Sequence, residues 1–191
     1  MVDSVINRRN QTFHLNKKSM ANINLYFPKV LAFEGGFVND SGDHGHETNM
    51  GITLNTWKCI GYDKNRDGII DGQDIKMVTR DDVLMVLRRG FWDKWQADLI
   101  NNQSIAEQLV DWTWSSGKWG IIWPQRLLQI KADGIVGNYT LASVNSASPA
   151  EFHAKVQLAR VLFVQEICRR DPSQEKFLSG WLNRVHSFKF Q

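Results

Sequence analysis

Glu34-Gly35-Gly36-Phe37-Val38-Asn39-Asp40, followed by Asp43, Thr48 and Gly51-Ile52-Thr53, closes an apolar segment running from Leu25 to Phe33. Leu25–Glu34 reads as a first helix, with Pro28 acceptable only near its start. The helix stops at an acidic residue and two glycines, where the backbone is released into conformations closed to other residues. A carboxylate is disfavoured at a helix C-terminus by the macrodipole, so Glu34 needs a reason to be there. One reason is plain surface polarity. The other is chemistry: two carboxylates and a hydroxyl on a polar loop beside apolar surface form the set that hydrolysis of a glycosidic bond requires.

Outward from this stretch the patterning is mainly helical. Thr53–Cys59 reads as a short helix ended by Gly61. Thr79-Arg80-Asp81-Asp82 reads as a cap with acidic first-turn residues, opening a helix that runs to about Trp95. Apolar spacing predicts helices over 104–115, 123–130 and 139–146. Ser148-Pro149-Ala150-Glu151 reads as a capping box opening a long helix to Arg170. Asp171-Pro172 breaks it, and Ser173–Phe188 forms the last helix. No convincing alternation marks a strand, apart from room for a short β-hairpin after the first helix. The expected fold is mainly α, organised as a leader (1–19), a first helical segment (20–120) and a second (121–191) packed into one compact unit.

The net charge of +3 in 191 residues resides in residues 1–19, which hold Arg8, Arg9, Lys17 and Lys18 against Asp3. The remainder has 19 basic and 19 acidic residues, so it offers no electrostatic case for nucleic acid. No apolar run approaches the roughly 20 residues needed to span a bilayer. The first 19 residues lack an apolar core and do not read as a signal peptide; Met20 is an alternative start. Cys59 and Cys168 sit in apolar helical contexts and read as two buried free thiols.

Asp63-Lys64-Asn65-Arg66-Asp67-Gly68-Ile69-Ile70-Asp71-Gly72-Gln73-Asp74 has the spacing of a twelve-residue calcium loop. Oxygen ligands would come from Asp63, Asn65, Asp67, the Ile69 carbonyl and Asp74. A polar turn of the same residues without an ion is the alternative, and the role expected for either is structural. Six tryptophans crowd between Trp92 and Trp123. Most should serve the core, but Trp112 and Trp114 cannot both point inward from one helix, so one of them or Trp119 is expected to line a cleft.

The first stretch resembles glycoside hydrolase family 108, whose pattern runs roughly E-G-G-Y-V-N-D-P-x-D-P-G-G-x-T-x-x-G-I-T. This chain reads EGGFVNDSGDHGHETNMGIT, matching at Glu34, Gly35, Gly36, Asn39, Asp40, Asp43, Thr48, Gly51, Ile52 and Thr53. Asp133-Gly134-Ile135-Val136-Gly137-Asn138-Tyr139-Thr140 is similar to the D-G-x-x-G-P-x-T turn of the peptidoglycan-binding segment that accompanies the family. Gly180-Trp181-Leu182-Asn183-Arg184 is similar to its G-W-x-N-R ending. The resemblance implies a lysozyme-like fold and an N-acetylmuramidase, a class also named secretion activator and found among phage endolysins. It implies Glu34, Asp43 and Thr48 as catalytic residues, with Asn39, Thr53, Trp112, Trp114 or Trp119 meeting a peptidoglycan substrate. No catalytic cofactor is implied. A monomer, made in the cytoplasm without a signal peptide and acting on the wall after release, completes the expectation. The rival is a non-catalytic peptidoglycan-binding or secretion-associated protein on the same fold.

Overall fold

The computed structural model describes residues 20–34 and 48–191. The leader and residues 35–47 lie outside them, and with them Asn39, Asp40 and Asp43. Helix α1 spans Ile23–Phe33, two residues earlier than the apolar run suggests, because the Asn22 side chain caps it by accepting from the Asn24 N–H at 2.9 Å. Ile23, Tyr26 and Val30 share its buried face. Glu34 stands just past the last turn in extended backbone, its N–H still bonded to the Val30 carbonyl.

The expected hairpin is present as two residues per strand, β1 (Thr48–Asn49) and β2 (Ile52–Thr53), paired Thr48 to Thr53 and Asn49 to Ile52. Met50 and Gly51 both take positive φ, 48° and 78°, as a two-residue hairpin turn requires. Helices α2 (Leu54–Ile60), α3 (Gly72–Lys76) and α4 (Arg80–Leu87) build a small lobe around Trp57, Ile75, Val83 and Val86. The helix at 80 is shorter than its pattern suggests, since the chain widens into a π-helical turn at Arg88–Trp92.

Helix α5 (Gln103–Ser116) is the axis of the molecule, buried at every position from Ser104 to Thr113. It ends at Gly117, whose φ of 56° turns the chain back into α6 (Trp119–Leu127). Helix α6 begins four residues before the expected start at Trp123, and Pro124 lies inside it. Gly120 lets α6 cross α5 backbone to backbone, because a Cβ there would overlap the Thr113 amide. Helix α7 (Asn138–Ser146) and the long α8 (Pro149–Arg170) follow. Ser148 does not cap α8 with its side chain; Glu151 instead pairs with Lys155, one turn on, at 2.7 Å. The turn at 133–137 is held by Gln125, Asp133 and the Thr140 hydroxyl. A 3₁₀ turn at Pro172–Gln174 leads into α9 (Glu175–Ser187). Both cysteines are free, but neither is buried as expected: Cys59 is exposed on the outer side of α2 and Cys168 is half-buried. No helix among the described residues is long and apolar enough to cross a membrane.

The cap read at Thr79 is a full capping box: Thr79 Oγ1 accepts from the Asp82 N–H, and the Asp82 carboxylate accepts from the Thr79 N–H at 2.7 Å. Burial alone would raise the Asp82 carboxyl. The Lys64 ammonium at 2.6 Å, the Thr79 hydroxyl and amide, and the Tyr62 hydroxyl overcome this and hold it at about 2. A folded value below the unfolded 3.8 adds stability above that value, and the gain is lost as pH falls toward 2. Asp82→Asn is therefore expected to unfold more easily than the parent at neutral pH, with the gap closing between about pH 4 and pH 2. Thermal unfolding of both proteins across that range checks it.

Candidate active site

Helix α1 delivers Glu34 to the place where three other elements meet. Its Oε1 accepts from Trp114 Nε1 on α5 at 2.9 Å and from Arg184 Nη1 on α9 at 2.9 Å. The side chain keeps 12% of its surface exposed, so the carboxyl is held and still reachable. Its other oxygen, Oε2, lies against the hairpin turn, where a Cβ on Gly51 would overlap the carboxyl. Gly51 is thus fixed twice, by its positive φ and by the close approach of the acid.

Arg184 is itself anchored. Its Nη2 and Nε donate to Asp111 at 2.8 and 3.1 Å, and its guanidinium lies 5.2 Å from the centre of the Phe33 ring. Asp111 is fully buried on α5 and also accepts from Arg160 on α8 and from the Tyr26 hydroxyl at 3.0 Å on α1. Burial would push the Asp111 carboxyl up; the Arg184 and Arg160 charges outweigh it and hold the group below the usual carboxylate range. Burial opposes the charge of Arg184 too, but Asp111 and Glu34 raise its hold on the proton further. Asp111 thus faces two guanidiniums, one of which reaches on to Glu34.

Of the other residues singled out from the sequence, Trp114 reaches Glu34 and also packs on Phe91, ring centres 4.8 Å apart. Trp112 is 1% exposed and sits edge-on to Phe163, which makes it a core residue with no face left for a ligand. Trp119 is 40% exposed and lines a groove of about 900 Å³ with Trp123, Leu158 and Leu162, whose lining does not include Glu34. Thr48 stands on β1, and Thr53 spends its hydroxyl capping α2 through the Thr56 N–H at 3.2 Å. Asn39 and Asp43 lie outside the described residues. Tyr26, Asp111, Arg160 and Arg184 were missed; only Arg184 had a signal, as the last residue of the G-W-x-N-R ending.

The loop at 63–74 turns through Gly68 at φ 91°. Asp63 accepts from the Arg66 and Gly68 amides, Asn65 from Asp67, Asp67 from Ile69, and Asp74 from Lys64, Asn65 and Asp71. Backbone donors therefore already hold the turn. Among the described residues no group of three or more histidine, cysteine, aspartate or glutamate side chains is placed to hold a metal ion.

Residues 27–117 match the family model described as Glycosyl hydrolase 108, and residues 119–186 match that described as Predicted Peptidoglycan domain. The boundary between them falls at the Gly117 turn. Among solved structures, that titled Structure of Brucella abortus SagA is similar with a TM-score of 0.71 and 25% identity, covering 86% of this chain and 90% of that one. No curated protein matches the chain at a significant level.

Removing the Asp111 charge while keeping its shape would leave two guanidiniums facing each other inside the protein. Breaking a buried ion pair in this way costs about 3–5 kcal/mol. Asp111→Asn is expected to show a loss of that size in urea unfolding, and a near-neutral substitution would contradict the structural role of the cluster.

Proposed function

Since the chain belongs to the glycosyl hydrolase 108 family and carries a predicted peptidoglycan domain behind it, we infer that it is an N-acetylmuramidase. The bond cut would be the β-1,4 link between N-acetylmuramic acid and N-acetylglucosamine in peptidoglycan. The observation that carries this reading is Glu34: a carboxyl at a helix end, partly exposed, and oriented through one oxygen by Trp114 and Arg184. A general acid needs such fixed placement beside the leaving oxygen.

In the proposed reaction Glu34 gives its proton to the glycosidic oxygen as the bond to the anomeric carbon breaks. Asp43, with Thr48, activates a water on the opposite face; the water oxygen bonds to the anomeric carbon and its proton passes to Asp43. Solvent exchange then restores both carboxyls. The site of action is the cell wall, and the exposed face around Trp119 belongs to the segment that matches the peptidoglycan domain.

Glu34→Gln keeps the shape and both N–H donors but cannot carry the acidic proton. Clearing of purified cell walls is expected to fall at least 10²–10⁴-fold, roughly the span of general acid catalysis, with stability little changed. Asp43→Asn should also lose turnover while still sedimenting with walls. A folded Glu34→Gln protein that clears walls at the parental rate would end the assignment.

For residues 63–74 we propose calcium as a structural ligand of Asp63, Asn65, Asp67, the Ile69 carbonyl and Asp74, supported by the spacing and by the Gly68 turn. A ligand that binds only the folded state stabilises it by mass action. Millimolar calcium should raise the melting temperature of the parent and not of Asp63→Asn combined with Asp67→Asn; an unmoved parental melting temperature refutes the site.

A further inference from the structure

Arg184 lies 150 residues from Glu34, in the segment that matches the peptidoglycan domain, yet it bonds to the acid directly. We propose that Arg184 is a positioning residue for Glu34, fixing Oε2 as the oxygen that carries and delivers the proton. The inference rests on the muramidase reading and assigns a catalytic task to the second segment, beyond wall binding.

The guanidinium is divided between two duties. Nε and Nη2 face Asp111, which already has Arg160 and Tyr26 as partners; Nη1 points the other way, to Glu34. The planar fork allows both at once, and the Phe33 ring beside it limits rotation of the plane. A lysine would offer a single ammonium point in place of this planar fork. On its far side the same guanidinium is held by Asp111, a carboxylate that Arg160 shares.

Oxygen assignment follows from donor counting. Arg184 Nη1 and Trp114 Nε1 are obligate donors, and both converge on Oε1 at 2.9 Å. A proton on Oε1 would point an O–H toward N–H groups that have nothing to accept it with. The protonated carboxyl therefore keeps its carbonyl oxygen at Oε1 and its O–H at Oε2. When Oε2 passes the proton to the glycosidic oxygen, the C–O bond breaks with its electron pair on the leaving sugar. The resulting carboxylate stays in the same two hydrogen bonds, now charge-assisted, so the donors favour the state reached after transfer. Oε2 occupies space that a Cβ at position 51 would take, so glycine there is what admits this orientation of the carboxyl.

The test is steady-state kinetics on soluble glycan fragments with four full-length variants: Arg184→Ala, Arg184→Lys, Trp114→Phe and Glu34→Gln. Arg184→Ala should lower kcat by about 10–10²-fold, the scale of a misplaced catalytic group, and leave KM within about twofold. Added methylguanidinium should restore part of that kcat, and Arg184→Lys should not reach the parental value. Trp114→Phe removes the indole N–H together with part of the ring that packs on Phe91, and should lower kcat by about 3–10-fold, again with KM held. If Arg184→Ala fails to fold, Trp114→Phe and Arg184→Lys still decide the matter. Parental kcat in the folded Arg184 and Trp114 variants, beside an inactive Glu34→Gln, overturns the positioning role alone. Parental kcat in Glu34→Gln overturns the muramidase reading beneath it.

Discussion

A carboxylate stripped of water at the centre of the molecule governs how this chain is arranged. Asp111 has no solvent contact, and an unpaired charge there would cost several kcal/mol. It is satisfied from three helices at once: the Tyr26 hydroxyl on α1, Arg160 on α8 and Arg184 on α9. Loss of α8 or α9 would strip one guanidinium from that charge, and loss of α1 would remove its hydroxyl donor. The long C-terminal hairpin of α8 and α9 is thereby bound to the helix that presents Glu34, and the candidate site takes its geometry from that attachment.

Two further contacts convert this attachment into a site. Trp114 packs against the residues of both the large helical core and the small lobe around Trp57, so its indole N–H is aimed by packing on two sides. Gly51 brings the hairpin turn onto the remaining oxygen. The acid is therefore framed by α5, α9 and the hairpin, and the two sequence segments that match separate family models share it. Gly117 and Gly120 make the sharing geometrically feasible: one reverses the chain, and the other allows α6 to lie directly on α5.

Local signals in the sequence were legible where the physics is local. The α-rich architecture and the Thr79 cap depend on neighbours within a turn, and so does the arrest of α1 at Glu34. Errors came where a nearby partner competed or a distant one decided. Apolar spacing started a helix at Trp123, but burial of Gly120 and Ile121 starts α6 earlier. Glu151 could have closed a capping box with Ser148, and took Lys155 instead. The calcium-like spacing of 63–74 is not among these errors: it folds into a turn through Gly68, and the backbone amides that its carboxylates also accept from are a detail spacing does not convey. The charge cluster was unreadable because its members are separated by 49, 73 and 150 residues, and helical periodicity shows which face is apolar without showing which charges meet across it.

The central claim, that this site cuts the muramic acid side of the glycan repeat, is tested most directly by the new chain ends. Peptidoglycan digested with the purified protein, reduced with borohydride and separated for mass spectrometry reports which sugar carries each freshly made reducing end. The account predicts muramitol at those ends, appearing with the parent protein and absent with Glu34→Gln. Glucosaminitol in its place, or cleaved peptide stems with no new sugar ends, would contradict it.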